Sequence, residues 1–294
     1  MAIKRSKASK AFDVFNVIAL ALAAAITILP FLYVLAASFA TEKEIVERPL
    51  FLIPRDVSLD AYQYIFSSGT LLRSFLNSVI ITLLGTAVNM FCTVTMAYAL
   101  SKRRVAGRNT ILNLIIFSMF FSGGMIPTYI VVSGLGITNT YWAVILPGAI
   151  SAYNLMIVKN FFQNIPAELE ESAYLDGCND MGALWRVALP LSLPVLATFS
   201  LFYAVGHWNA YFSAMLYMSK TPDKWPLQVM LRQLIILSQM TAGDMASMDP
   251  NFVKPPDQSI KMAVIMISTV PIMLLYPFLQ KYFTKGVMVG ALKG

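Results

Sequence analysis

The sequence predicts an all-α membrane protein with six transmembrane helices. Three observations point there. Of 294 residues, 57% are hydrophobic and only 13% charged, against about 25% charged in soluble domains. Such a chain has too few polar side chains to cover a water-facing surface, and intrinsic disorder needs the opposite balance of hydrophobicity and charge. Six apolar stretches are also continuous over the roughly 20 residues that a helix needs to cross a hydrocarbon core. Finally, Lys and Arg concentrate in alternate connections between those stretches.

The first stretch covers residues 12–40. It is too long for the apolar run of about 7–15 residues in a cleaved signal peptide, so it is expected to stay as an anchor. The second and third cover 75–100 and 111–132, and the third contains Gly123, Gly124 and Pro127. Those residues weaken a helix and mark either a kink lining a cavity or a packing notch. The remaining stretches cover 141–162, 193–218 and 260–283. None alternates in polarity as barrel strands do. The whole chain, 1–294, is expected to form one membrane domain.

With six spans, three basic clusters fall on one side: Lys4, Arg5, Lys7 and Lys10; Lys102, Arg103, Arg104 and Arg108; and Lys281, Lys285 and Lys293. By the positive-inside bias that side is cytoplasmic, and both termini lie there. The net charge of +7 thus belongs to a membrane protein's inner face rather than to a nucleic-acid surface. Cys92 and Cys178 lie in different settings and imply no disulfide framework. Two outer loops are long, 41–74 and 219–258. In the first, Ser58 can cap a short helix carrying Tyr62, Tyr64 and Phe66. In the second, KWPLQVMLRQLII reads as an amphipathic helix and MDPNFVKPPD as a proline-rich loop. Loops of this length serve either a contact or an ordered lid.

The segment between the fourth and fifth spans, the elbow at 166–190, is the most acidic of the chain, with Glu168, Glu170, Glu171, Asp176 and Asp180. Pro166 suits a helix start, so a short helix is expected over 167–175, closed by Gly177. Asp180 is expected to cap a second helix, Met181 to Leu189, with Pro190 and Pro194 turning the chain into span five. Leu169, Ala173, Leu184, Trp185 and Val187 are expected to face the bundle and the carboxylates the cytosol. Those carboxylates serve either a partner's arginine or simply a solvated face.

Several chemistries are excluded by pattern. There is no G-x-x-x-x-G-K-[ST] phosphate loop, one histidine only, no H-E-x-x-H and no G-x-S-x-G. An ion-coupled secondary transporter is the main alternative class, but no Asp or Glu lies mid-span, where proton coupling places them.

Glu171-Ser172-Ala173, Asp176-Gly177 and Leu189-Pro190 resemble the EAA loop of ABC-importer permeases. Ser172 replaces the usual central alanine, and Cys178 stands where a small alanine is common. The resemblance continues through SLDAYQYIF, FSGGMIPTYIV, NTYWAVILPGAISAYNLMIV, LFYAVGHWNAYFSAMLY and YPFLQKYFTKGVMVGALKG. These segments are similar to carbohydrate-type permeases, in the branch that serves complex saccharides such as alginate. The resemblance implies a type I importer fold in a bacterial inner membrane and a heterodimer with a second permease. It also implies two cytoplasmic ATPases that bind the ATP and Mg, an extracytoplasmic solute-binding protein, and no catalytic residue, metal or cofactor in this chain. It implies that Glu171 pairs with an ATPase arginine, that Gly177 permits the turn, and that Asp176 holds the elbow by hydrogen bonds. Ala173, Leu175 and Cys178 complete the coupling surface, with Leu189 and Pro190 ending the motif.

A saccharide crossing a bilayer needs hydrogen bonds and flat apolar faces. Tyr203, His207, Trp208, Asn209 and Tyr211 in span five supply both, with Asn154 in span four. Tyr203 and His207 share one helical face. These polar side chains either line a path or join helices; Asn77 and Asn89 are read as joining helices.

Overall fold

The computed structural model describes residues 7–67, 69–239 and 258–291. Lys4 and Arg5, the proline-rich stretch 248–257 and Lys293 lie outside the described residues. The described residues fall into two compact units, 7–67 with 233–239 and 258–269, and 69–232 with 270–291.

In the first unit, the uncharged run after Asp13 forms most of α1, Lys7–Ser38. Its large side chains from Phe12 to Leu29 are exposed in the isolated chain, as suits a helix that meets lipid or another subunit. Only its end is buried, where Ala36, Ala37 and Ala40 pack with Ile45 and Phe51. Thr41 caps α2, Glu42–Glu47. Behind it Glu44 is buried and its carboxylate accepts from Arg48 Nη1 at 2.6 Å, from the Arg55 backbone N–H at 2.9 and 3.0 Å and from that of Asp56 at 3.1 Å. The Arg55 amide holds this carboxyl below its ordinary value of 4.5, against the opposing effect of its enclosure. Ser58 Oγ accepts from the Asp60 N–H at the start of α3, Asp60–Ser67, as the sequence predicts. Tyr62 of α3 stacks on Phe39 and its hydroxyl meets Ser38 Oγ at 2.8 Å.

The second unit is built on α4, Gly69–Ser101, a helix of 33 residues and so about 50 Å long. Among the described residues three helices are long and apolar enough to cross a bilayer: Phe12–Ser38 of α1, α4, and Gln258–Leu275 of the carboxy-terminal helix. The expected third span is divided. α5, Arg108–Phe120, and α6, Met125–Gly134, flank a break where Gly124 has φ 84°, a conformation that glycine adopts without strain.

The fourth span is bent by 54°. The short α7, Trp142–Ile145, runs into a single 3-10 turn, Leu146–Gly148, and after an interruption α8, Ala152–Gln163, begins under a Ser151 cap. In the elbow, α9 is Ala167–Leu175 and the second limb comprises α10, Asp180–Ala183, a π-helical turn, Leu184–Ala188, and α11, Leu189–Leu191. A bend of 86° then leads into α12, Leu193–Asn209.

The fifth span does not run unbroken to Met218. It stops at Asn209, Ala210 is extended, and α13, Phe212–Tyr217, restarts it. No Pro or Gly stands at 209–211. α14, Leu227–Gln239, is the amphipathic helix that the sequence predicts. α15, Gln258–Ala291, carries Pro271 and Pro277. The core of the second unit lies where α4, α8 and α12 meet, around Tyr98, Leu155, Val158, Phe162, Leu196 and Phe199, with Leu184 and Ala188 of the elbow.

Candidate coupling elbow and span-five cluster

The elbow's shape follows from its ends. At the end of α9 the Gly177 N–H donates to the Tyr174 carbonyl at 3.0 Å and the Cys178 N–H to that of Ala173 at 2.9 Å. Gly177 has φ 82°. This is the paired closing motif that satisfies orphan carbonyls and requires a left-handed residue. Asn179, not Asp180, caps the second limb: its Oδ1 accepts from the Gly182 N–H at 2.8 Å. The Asp180 carboxylate is committed elsewhere, accepting from Tyr174 Oη at 2.9 Å and from Arg104 Nη2. Burial, with that carboxylate beside it, pushes the Tyr174 phenol up. Pro190 lies inside the helical limb. A proline ring crowds the carbonyl four residues back, here that of Arg186, and the wide π turn relieves the conflict.

The expected coupling residues separate by exposure. Glu171, Leu175, Asp176 and Gly177 are exposed, Leu175 at 88%. Cys178 is half-buried, its Sγ facing Arg186 Nη1 at 3.7 Å. Ala173 is buried beneath this surface, and Leu189 and Pro190 lie at the other end of the limb, half-buried and exposed. Of the residues expected to face the bundle, Ala173 and Leu184 do so, whereas Leu169 and Trp185 are exposed, Trp185 at 63%. The π turn rotates successive side chains off α-helical spacing, so Trp185 lines an open apolar groove with Met90, Phe91, Met181 and Leu189.

A contribution that residue types did not reveal is the basic loop after α4. Lys102 pairs with Glu170 of α9, and Arg104 with Asp180 and, at 3.4 Å, with Tyr174 Oη. In the sequence these cations mark topology alone. A signal existed in the alternation of Lys102/Arg104 with the Glu170/Asp180 carboxylates, but nothing in sequence spacing brings residues some 70 positions apart together.

The span-five residues divide into three settings. Tyr203 and His207 face α4. The Asn89 amide donates to the carbonyls of Gly148 and Ala149 at 2.6 and 3.1 Å, so its Oδ1 accepts from His207 Nε2 at 2.7 Å. The imidazole lies flat on Gly85, where an added Cβ would sit 2.5–2.6 Å from three ring atoms. Tyr203 Oη meets Thr93 Oγ1 at 2.8 Å and accepts from the Ser151 N–H at 3.2 Å. The backbone freed by the break in span four is thus satisfied by α4 and α12. Asn154 is buried one turn beyond, and Asn77 of α4 likewise bonds the carbonyls of Asp223 and Trp225 and the Tyr141 hydroxyl.

Trp208 is buried against Phe75 and lines an apolar cavity of about 170 Å³ with Val79, Leu83, Val205 and Ile272. Asn209 and Tyr211 lie at the break in the span. There Asn209 Oδ1 accepts from Gln228 Nε2 at 3.5 Å, and the Arg232 guanidinium stands 4.8 Å from the Tyr211 ring centroid. Both contacts come from α14 and meet the chain where the helix stops.

Residues 94–289, from mid-α4 through the elbow into α15, match the family described as binding-protein-dependent transport system inner membrane component. The chain belongs to this family. It is similar to Protein LplC of Bacillus subtilis, with 58% identity over 289 residues, 98% of this chain and 97% of that one. The polygalacturonan/rhamnogalacturonan transport system permease protein YtcP of the same organism is 53% identical over 97% of this chain and 99% of its own. Among solved structures, a bacterial ABC transporter involved in the import of the acidic polysaccharide alginate superposes with a TM-score of 0.86 at 31% identity, covering 95% of this chain and 99% of that one. The fold is therefore that of a type I ABC-importer permease, a transport component in an inner membrane. Among the described residues up to five of the six expected spans are long and apolar enough to cross a bilayer, three as unbroken helices and two as bent pairs, while the two short helices of the divided third span are not.

Proposed function

We propose that this chain is one permease of an ATP-driven importer that carries a saccharide, an oligosaccharide or polysaccharide fragment such as alginate, into the cytoplasm. It forms the translocation path with a second, different permease, receives its load from an extracytoplasmic binding protein, and is driven by two cytoplasmic ATPases that hold the ATP and Mg. Both termini and the elbow face the cytoplasm, in agreement with the placing of Lys102, Arg103, Arg104 and Arg108. The names of two relatives support a saccharide, and both name polymers of acidic sugars.

The observation that carries this reading is the elbow tip. Leu175 stands exposed on a rigid turn, flanked by the exposed carboxylates of Glu171 and Asp176. An apolar knob with an adjoining carboxylate suits a cleft containing an arginine. In this reading Glu171 forms the ion pair, Leu175, Gly177 and Cys178 fill the cleft, and Ala173 is the small residue that seats the helix. Asp176 closes α9 through its backbone N–H, which donates to the Ser172 carbonyl at 3.0 Å, and Leu189 and Pro190 anchor the limb at the bend.

On the path side, Asn209 and Tyr211 offer an amide and a ring face to a sugar, and Tyr203, His207, Trp208 and Asn154 form the wall behind them. Arg232 beside Tyr211 adds a cation for an acidic sugar. The test is copurification and uptake. Glu171→Lys is expected to lose ATPase subunits from the purified complex and to abolish uptake; normal uptake in that variant overturns the coupling role. Arg232→Gln is expected to weaken uptake of an oligouronate more than that of a neutral oligosaccharide, and equal effects remove the acidic-sugar assignment.

A further inference from the structure

We propose that Lys102 and Arg104 are positioning residues that bolt the elbow to the end of α4, so that a stroke received at the elbow tip is delivered along α4 and not only through the chain connections to α8 and α12. The proposal rests on the coupling reading of Glu171 and extends it to the route the displacement takes.

The elbow's covalent attachments are poorly suited to carry a push. On one side α8 reaches α9 through the short non-helical link 164–166. On the other, the second limb joins α12 across the 86° bend at Ser192, behind a π-helical turn. A bent joint next to a widened turn yields before a straight helix does. The loop after α4 supplies what the covalent joints lack. Lys102, the residue following α4, pairs with Glu170 in the middle of α9, and both side chains are largely enclosed, at 17% and 14% exposure. The same ammonium lies 4.2 Å from the Tyr98 ring centroid on α4 itself. The other Glu170 oxygen is enclosed and has no hydrogen-bond partner among the described residues. The carboxylate's charge is therefore held by Lys102, and losing that cation would leave it enclosed without a counter-charge.

Arg104 works at a second point. It meets Tyr174 at the end of α9 and Asp180 at the start of α10, while Tyr174 Oη donates to Asp180. One guanidinium thus ties the two limbs of the elbow to each other and to the α4 loop. This pair is exposed, at 61% and 63%, and is the weaker of the two fastenings.

The far end of α4 is fastened as well. Asn77 holds the carbonyls of Asp223 and Trp225, and Ser78 Oγ accepts from the Leu227 N–H at 2.8 Å. Between the ends, Asn89 and Thr93 engage the span-four break and α12. A single unbroken helix therefore connects the elbow to the loop of 223–227, which in the proposed topology faces the binding protein.

The test uses the complete importer, with its second permease, ATPases and binding protein, reconstituted in liposomes. ATP hydrolysis and substrate uptake are measured together, because uptake per ATP reports transmission and a general folding defect does not change it selectively. Lys102→Met and Glu170→Gln are expected to retain bound ATPases and ATP hydrolysis while uptake per ATP falls about tenfold, and the exchanged pair, Lys102→Glu with Glu170→Lys, recovers most of the loss. Arg104→Gln is expected to lose about two- to threefold, as an exposed pair should. Unchanged uptake per ATP in Lys102→Met and Glu170→Gln overturns the proposal. So does failure of every Lys102 and Glu170 variant, the exchange included, to assemble, since the pair then serves folding alone. Glu171→Gln run in parallel separates the two readings. If it transports normally, the coupling role itself falls; if it is impaired while Lys102→Met is not, only the bolt falls.

Discussion

Gly85→Ala tests the contact at the centre of the second unit. The added Cβ would lie 2.5 Å from His207 Nε2 and 2.6 Å from two ring carbons. Ordinary contact begins near 3.4 Å, so the ring must retreat by about 0.9 Å. It has little freedom to do so, because Nε2 is committed to Asn89 Oδ1 at 2.7 Å and a retreat of that size stretches the bond beyond hydrogen-bonding range. Overpacking costs about 1–3 kcal/mol, and a buried interhelical hydrogen bond in a membrane contributes about 0.6, at most about 1.7 kcal/mol. The sum is about 2–5 kcal/mol. In the detergent-purified complex this should lower the midpoint of heat-induced loss of the monodisperse species by about 5–10 °C. The decisive measurement is the cycle with His207→Ala. Removing the ring opens the space, so Gly85→Ala should cost nearly nothing in that background, a coupling of more than about 1 kcal/mol between the two sites. If Gly85→Ala is as stable as the native chain, or costs the same with and without His207, the ring does not occupy the place argued for it.

Four other outcomes follow from the same geometry. Gly177→Ala meets no atom within 4 Å but must hold φ 82°, so it should cost about 1–2 kcal/mol through the backbone alone; Gly177→Asn should cost less, read as thermal stability of the complex. Asn77→Ala leaves two carbonyls and the Tyr141 hydroxyl without their shared partner, and should cost about 1–3 kcal/mol, seen as faster proteolysis at Lys224. The depressed Glu44 carboxyl contributes stability that is fully present above its ordinary value of 4.5 and is lost as pH falls through the lower folded value. Protection of the Arg55 and Asp56 amides, taken against the intrinsic exchange rate at each pH, should therefore fall on acidification below that point, and Glu44→Gln should remove the dependence. Trp208→Ala enlarges an apolar cavity and should cost about 3–5 kcal/mol; a loss of stability under about 1 kcal/mol would show that the indole is not packed there.

Much of the fold could be read directly from residue types. α9 begins after Pro166 and ends before Gly177 because a fixed φ and a left-handed glycine act locally, with no help from distant contacts. Gly123–Gly124 announced the break between α5 and α6 for the same reason. What could not be read was set by contacts across the fold. Asn179 and Asp180 are both good capping residues, and only the recruitment of Asp180 by Arg104 and Tyr174 leaves the cap to Asn179. The stop at Asn209 has no proline beside it, and residue types alone do not announce it; in the structure Gln228 and Arg232 of α14 meet the chain there. Trp185 lies exposed in the groove beside Met90 and Phe91, within the π turn that precedes Pro190, instead of packing into the core. In the candidate site, the residue types of the elbow tip were apparent, but the cations fastening it were not, since a lysine after a span reads equally as a topology marker.

The interruption in the fourth span has an evolutionary corollary. Its backbone is stitched to one neighbour by Asn89 and to another by Tyr203, while Gly85 and His207 fit one another by shape. These positions form a single packed unit drawn from three separate stretches of sequence. A chimaera that imports α4 from a relative should lose the membrane fold unless the 146–151 turn and α12 come with it, and drift at any one of these sites must be answered at the others.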